Sequence, residues 1–119
     1  MRPLTTLEAL DGALASAGDR PILLFKHSET CGLSLQAHEE VLSVLADPAW
    51  DVPVYLVSVQ AARHVSNAIA ARFGVRHASP QALLVRDGEV QWHTSHLAIT
   101  VKALHGAADR LASVPTSVK

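Results

Sequence analysis

One cysteine, Cys31, stands in a chain of 119 residues. A thiolate attacks disulfides, so this residue is the first candidate for chemistry. A single thiol cannot close an internal disulfide, nor can it supply the several thiolates of a usual metal site. Redox work at Cys31 must therefore take its disulfide partner from another molecule. The plain alternative is a buried cysteine that packs as a small hydrophobe. Ser34, three residues on, offers a hydroxyl donor to the sulfur. Lys26 and His27 lie just upstream and add positive charge to the site, unless they are a solvated strand-end charge and a satisfied loop histidine. Of the seven histidines, His93 and His96 could join Cys31 in a cluster. No acidic ligand is near them in sequence, so a loop or site-lining role is the better reading than a metal site.

These residues need elements to position them. Thr5 or Thr6 caps a helical pattern with Leu7, Leu10 and Leu14 on one face, ended by Gly18 and Pro21. Pro21–Phe25 is an apolar run suited to a strand covered on both faces, and 27–30 reads as a loop. From Ser34 the spacing is helical, with Leu35, His38, Val41, Leu42 and Leu45 on a shared face and Asp47-Pro48 closing it. Val54–Val59 is a second buried strand, and Ser66–Phe73 is a helix ended by Gly74. Ser79-Pro80 opens a third strand over Gln81–Val85, Asp87-Gly88 is a hairpin signal, and Glu89–His93 alternates as its partner. Trp92 reads as a packing residue. Thr100 caps a last helix reaching Leu111, with Pro115 beyond.

This order predicts one α/β domain over 1–119, a mixed four-stranded sheet with helices on both faces. The first two strands are joined by a helix and should be parallel, with a right-handed crossover. Cys31 then sits where a strand gives way to a helix. Free N–H groups and the positive end of the helix dipole lie there, and such sites lower a cysteine pKa from about 8.5 into the range of roughly 3.5–7.5. The same topology brings the loop before the third strand beside that helix N-terminus. A cis Ser79-Pro80 bond would expose the Ser79 backbone to an incoming partner, with Pro80 beside Cys31.

Composition sets the remaining bounds. Hydrophobic residues make up 49% and charged residues 18%, enough for a core and too little charge for long disordered tails. Ten basic against eleven acidic residues, a net charge of -1, argues against a nucleic-acid binder. No apolar run reaches the roughly 20 residues of a membrane span, and the N-terminus lacks a secretory core, so the expectation is a cytoplasmic protein with no membrane or nucleic-acid partner.

At Cys31-Gly32-Leu33-Ser34 together with Ser79-Pro80, the chain resembles the thioredoxin superfamily in a monothiol version. More closely, it is similar to the bacilliredoxin (YtxJ-like) family. The matching segments are 25–31, 65–70 with 72–75, 77–84 and 92–96, in the family's order, spanning roughly residues 22 to 104. The family's usual Thr-Cys-Pro-Ile-Ser here reads Thr30-Cys31-Gly32-Leu33-Ser34, and Leu97 stands where an aromatic residue is common. The glycine loosens the first helical turn and restores an N–H, which could alter the thiolate.

The resemblance implies a thioredoxin-like fold and a thiol-disulfide oxidoreductase with no bound cofactor. Bacillithiol would be its co-substrate, removed from S-bacillithiolated client proteins through a mixed disulfide on Cys31. A second low-molecular-weight thiol or a partner reductase would then free Cys31. Cys31 and Ser34 would carry the chemistry. Lys26, His27, Ser79, Pro80 and His96 would bind the substrate, with Arg76, His77 and His93 as further candidates for the carboxylates of the cap. Two alternatives stand beside this reading. Cys-Gly-Leu-Ser also resembles the Cys-Gly-Phe-Ser site of monothiol glutaredoxins, which bridge an iron–sulfur cluster, although no Gly-Gly-Asp-like segment follows the third strand. A non-redox interaction domain with an inert Cys31 is the other.

Overall fold

In a computed structural model, residues 1–113 are described, and Pro115 lies outside them. The chain runs β1 (Arg2–Pro3), α1 (Leu7–Ala17), β2 (Ile22–His27), α2 (Gly32–Leu45), β3 (Val54–Ser58), α3 (Arg63–Phe73), β4 (Gln81–Arg86), β5 (Glu89–Ser95), a short 3-10 turn (His96–Ala98) and α4 (Val101–Ala112). The strands form one mixed sheet in the order β1-β3-β2-β4-β5. As the crossover helix requires, β2 and β3 are parallel, while β4 runs antiparallel to β2 and to β5. Asp87 and Gly88 both take positive φ in the β4–β5 turn, the backbone that a two-residue hairpin needs.

Side chains alternate across the sheet. Leu24, Val57, Leu83 and Val85 pack with Leu10 and Ile69 on one side. Leu23, Phe25, Ala82 and Leu84 pack with Val41, Val44 and Leu104 on the other. Thr6 and Thr100 cap α1 and α4, each side-chain oxygen accepting an N–H three residues on. Among the described residues no helix is long and apolar enough to cross a membrane.

Several expectations are corrected. The sheet has five strands, because Arg2 and Pro3 pair with Tyr55 and Leu56. Two residues are too few to show alternation in sequence. β2 extends through Lys26 and His27, which were expected at a strand end and in a loop. α3 begins at Arg63, three residues early, and no side chain caps it. α2 buries Ser34, Ala37, Val41 and Val44, and leaves Leu35 and Leu42 exposed at 58% and 47%. Small Ser34 and Ala37 let the start of the helix lie close on the sheet, which outweighs the size of the leucines.

Candidate active site

The functional candidates gather at one end of the sheet because of strand direction. The loop after β2 carries Cys31, the segment after β3 carries Gln60, Pro80 immediately precedes β4, and His96 follows β5. Lys26 faces Gln81 across the β2–β4 pair. Pro80, one residue before Gln81, is thus level with the strand end from which the Cys31 loop leaves. The Ser79-Pro80 bond is cis, Pro80 is buried, and its carbonyl accepts the His96 N–H at 3.0 Å.

Cys31 is the N-cap of α2, in extended backbone and partly exposed. Its thiol is held below its usual pKa. The Ser34 backbone N–H contributes most and that of Leu33 next; partial desolvation opposes them, and the Ser34 hydroxyl adds a smaller share. No nearby cation takes part. Ser34 is fully buried, and its Oγ accepts the Ser28 N–H at 3.1 Å, so the hydroxyl is fixed before any substrate arrives.

The approach to Cys31 is held from β3, a feature the sequence reading missed. Gln60 Nε2 donates to Ser28 Oγ at 2.8 Å and to Thr30 Oγ1 at 2.9 Å. Its Oε1 accepts the Glu29 N–H at 3.3 Å, and Ser58 Oγ donates to Glu29 at 2.6 Å. The available signal was position alone: polar residues directly after a strand parallel to β2 must reach the same sheet end.

Lys26 and His27 do not line the rim. Lys26 is 0% exposed, and burial lowers its pKa from 10.5 to about 8. Its ammonium lies 3.3 Å from His77 Nδ1. His27 is buried on the opposite sheet face, its ring 4.9 Å from that of His38. Burial depresses its pKa, as does the like charge of His38, while hydrogen bonding to the Ser34 backbone and the Glu29 charge act the other way. His27 is therefore not the cation the sequence suggested. His96 is exposed, with φ of 56° and Nδ1 3.0 Å from Ser95 Oγ. His93 is exposed on β5 opposite Leu83, and Arg76 is exposed in the loop leading to Pro80. Among the described residues no three His, Cys, Asp or Glu side chains are placed to hold a metal ion.

Gly32 is the first residue of α2, and its N–H is not among the donors acting on Cys31. A Cβ there would meet nothing within 4 Å. Cys31, at φ −107° and ψ 124°, already has the backbone that precedes proline. Gly32→Pro should therefore raise stability by about 0.4–1 kcal/mol through the unfolded chain. It should leave the pH midpoint of Cys31 alkylation in place, and a shifted midpoint would show that this position tunes the thiolate. Thermal melts and iodoacetamide rates against pH check both parts.

Comparison with known proteins agrees with this architecture. The model of a family described as monothiol bacilliredoxin, BrxC, matches residues 2–104. A solved protein with a thioredoxin fold is 30% identical, with a TM-score of 0.81 over 89% of this chain and 91% of that one. Fasciola hepatica thioredoxin is 23% identical, with a TM-score of 0.74 over 92% of this chain and 98% of its own. Malassezia sympodialis thioredoxin, at 14% identity, has a TM-score of 0.75 over 92% and 89%. The fold is thioredoxin-like.

Proposed function

Because the chain belongs to the monothiol bacilliredoxin family, we propose that it is a thiol-disulfide oxidoreductase that removes bacillithiol from S-bacillithiolated proteins in the cytoplasm. The observation that carries this reading is the partly exposed Cys31 sulfur, facing the N–H groups of Leu33 and Ser34 at the start of α2. That arrangement stabilises a thiolate without a bound cofactor.

The Cys31 thiolate attacks the cap sulfur of the client's mixed disulfide. The client sulfur leaves as a thiolate and takes a proton from solvent, and Cys31 now carries the cap. A second bacillithiol thiolate then attacks the cap sulfur on Cys31, giving oxidised bacillithiol and the free Cys31 thiolate. A partner reductase is the other route to the same end. Each step exchanges one S–S bond for another, and no further oxidant is needed. Ser34 donates to the Cys31 sulfur as attacking group and again as leaving group. The Ser79 backbone and Pro80 receive the disulfide, and exposed His96 and Arg76 meet the carboxylates of the cap's malate. Lys26 and His27, buried, support the site from beneath.

The test is de-capping of one model protein carrying either bacillithiol or glutathione. The kcat/KM for bacillithiol should be higher by about tenfold, the size of one charge-assisted contact. His96→Ala should reduce that preference while Cys31 alkylation is unchanged. Equal rates for both caps would overturn the assignment of substrate.

A further inference from the structure

A lysine with no exposed surface is costly, and no carboxylate among the described residues is paired with Lys26. An apolar side chain would fill the same space at less cost. Where its ammonium points is therefore informative. It donates to His77 Nδ1 at 3.3 Å, and Ser66 Oγ lies 3.3 Å from the same nitrogen. An ammonium has donors only, so Nδ1 is the acceptor and the His77 proton is on Nε2.

Gln81 faces Lys26 across the ladder and is 3% exposed. Its Nε2 donates to the Arg76 carbonyl at 2.9 Å, and its Oε1 is buried without a partner. Two neighbouring buried side chains, one from each strand, thus hold the consecutive residues Arg76 and His77. Among the described residues, 75–79 make no backbone–backbone hydrogen bond of their own. Beside the buried Val75 side chain and the Ser66 hydroxyl at His77, this loop is held by Lys26 and Gln81. It ends at Ser79 and the cis Pro80.

We propose that Lys26 and Gln81 are positioning residues that latch the loop leading to Pro80, and that a proton on His77 Nδ1 opens the latch. Neutral His77 accepts from Lys26. Protonated His77 has no lone pair to offer and sets a second positive charge against the ammonium. The charged groups acting on His77 are Lys26 from β2 and Arg63 from α3, and burial, Lys26 and Arg63 together keep its pKa below the usual value. The latch therefore holds at neutral pH and opens as pH falls below about 6.5. Its consequence for catalysis rests on the thiol-exchange reading, whereas the latch itself does not.

Two readouts separate these. Amide hydrogen exchange on the full chain at pH 7.5 should show residues 76–79 exchanging about tenfold faster in Lys26→Met, the effect of one lost bond to a charged group, while the β2–β3 ladder stays protected. Gln81→Met should show the same signature, and it stands in if Lys26→Met does not fold. In the wild type, the loop should speed up relative to the ladder as pH falls below about 6.5, and His77→Gln should remove that pH response. In de-capping, Lys26→Met should raise KM about tenfold and leave the iodoacetamide rate of Cys31 unchanged. Unchanged loop exchange in both buried-residue variants, or a pH response that persists in His77→Gln, overturns the latch. Faster loop exchange with an unchanged KM overturns the positioning role. Absence of de-capping in the wild type, with loop exchange as expected, counts against the enzymatic reading and leaves the latch standing.

Discussion

Cys31→Ser should abolish de-capping and all alkylation by iodoacetamide. The chain has one cysteine, so no second thiol can substitute. A hydroxyl in the same place keeps the N–H contacts at the start of α2 but is not ionised at neutral pH, and it cannot form a disulfide. The fold should be unaffected, because Cys31 is the partly exposed cap of the helix and takes no part in either core cluster. Far-ultraviolet circular dichroism and the melting temperature should match the wild type while the rate falls to that of uncatalysed exchange. Activity that survives in Cys31→Ser would mean that the chemistry is carried elsewhere.

The second large effect is on stability. Lys26 has a folded pKa of about 8 against 10.5 in the unfolded chain, and burial is the cause. The unfolded state therefore binds more protons between these values, and stability gained from this group rises with pH across that window. At 1.36 kcal/mol per unit the whole change is about 3 kcal/mol. Below about pH 8 the wild type carries the cost of a buried ammonium, and above 10.5 it carries none. Lys26→Met removes the titration, so wild-type stability relative to this variant should climb by about 3 kcal/mol from pH 8 to 10.5. Whatever the two proteins share cancels in the comparison. Urea unfolding at closely spaced pH values provides the measurement, and a constant difference would show that the Lys26 ammonium reaches water.

The parts of this site that follow from local chemistry were legible in the sequence. A polar stretch between an apolar strand and a helical pattern put Cys31 at a helix start, with Ser34 one turn on. The element order made a cis Ser79-Pro80 bond the expectation at the same sheet end. The Asp87-Gly88 turn and the Thr6 and Thr100 caps are set by their neighbours along the chain. What escaped the sequence depends on contacts between distant residues. Lys26 at the end of an apolar run reads as a solvated charge; it is buried because His77, 51 residues away, meets its ammonium. His27 lost its place at the rim once β2 ran two residues further than its apolar core. Gln60 carries no motif and acts only because β3 lies parallel to β2. The buried face of α2 was misassigned because leucine outweighs serine and alanine in any hydrophobic count, whereas close approach to the sheet favours the small residues.

In the proposed reaction a cap passes from a client cysteine to Cys31. Intact-mass spectrometry of a single turnover, with equimolar protein and bacillithiol-capped client and no free thiol, tests it most directly. The client should lose the mass of the cap, this chain should gain the same mass, and fragmentation should locate it on Cys31. A client that keeps its cap, or one that loses it while Cys31 stays unmodified, would rule out transfer to Cys31.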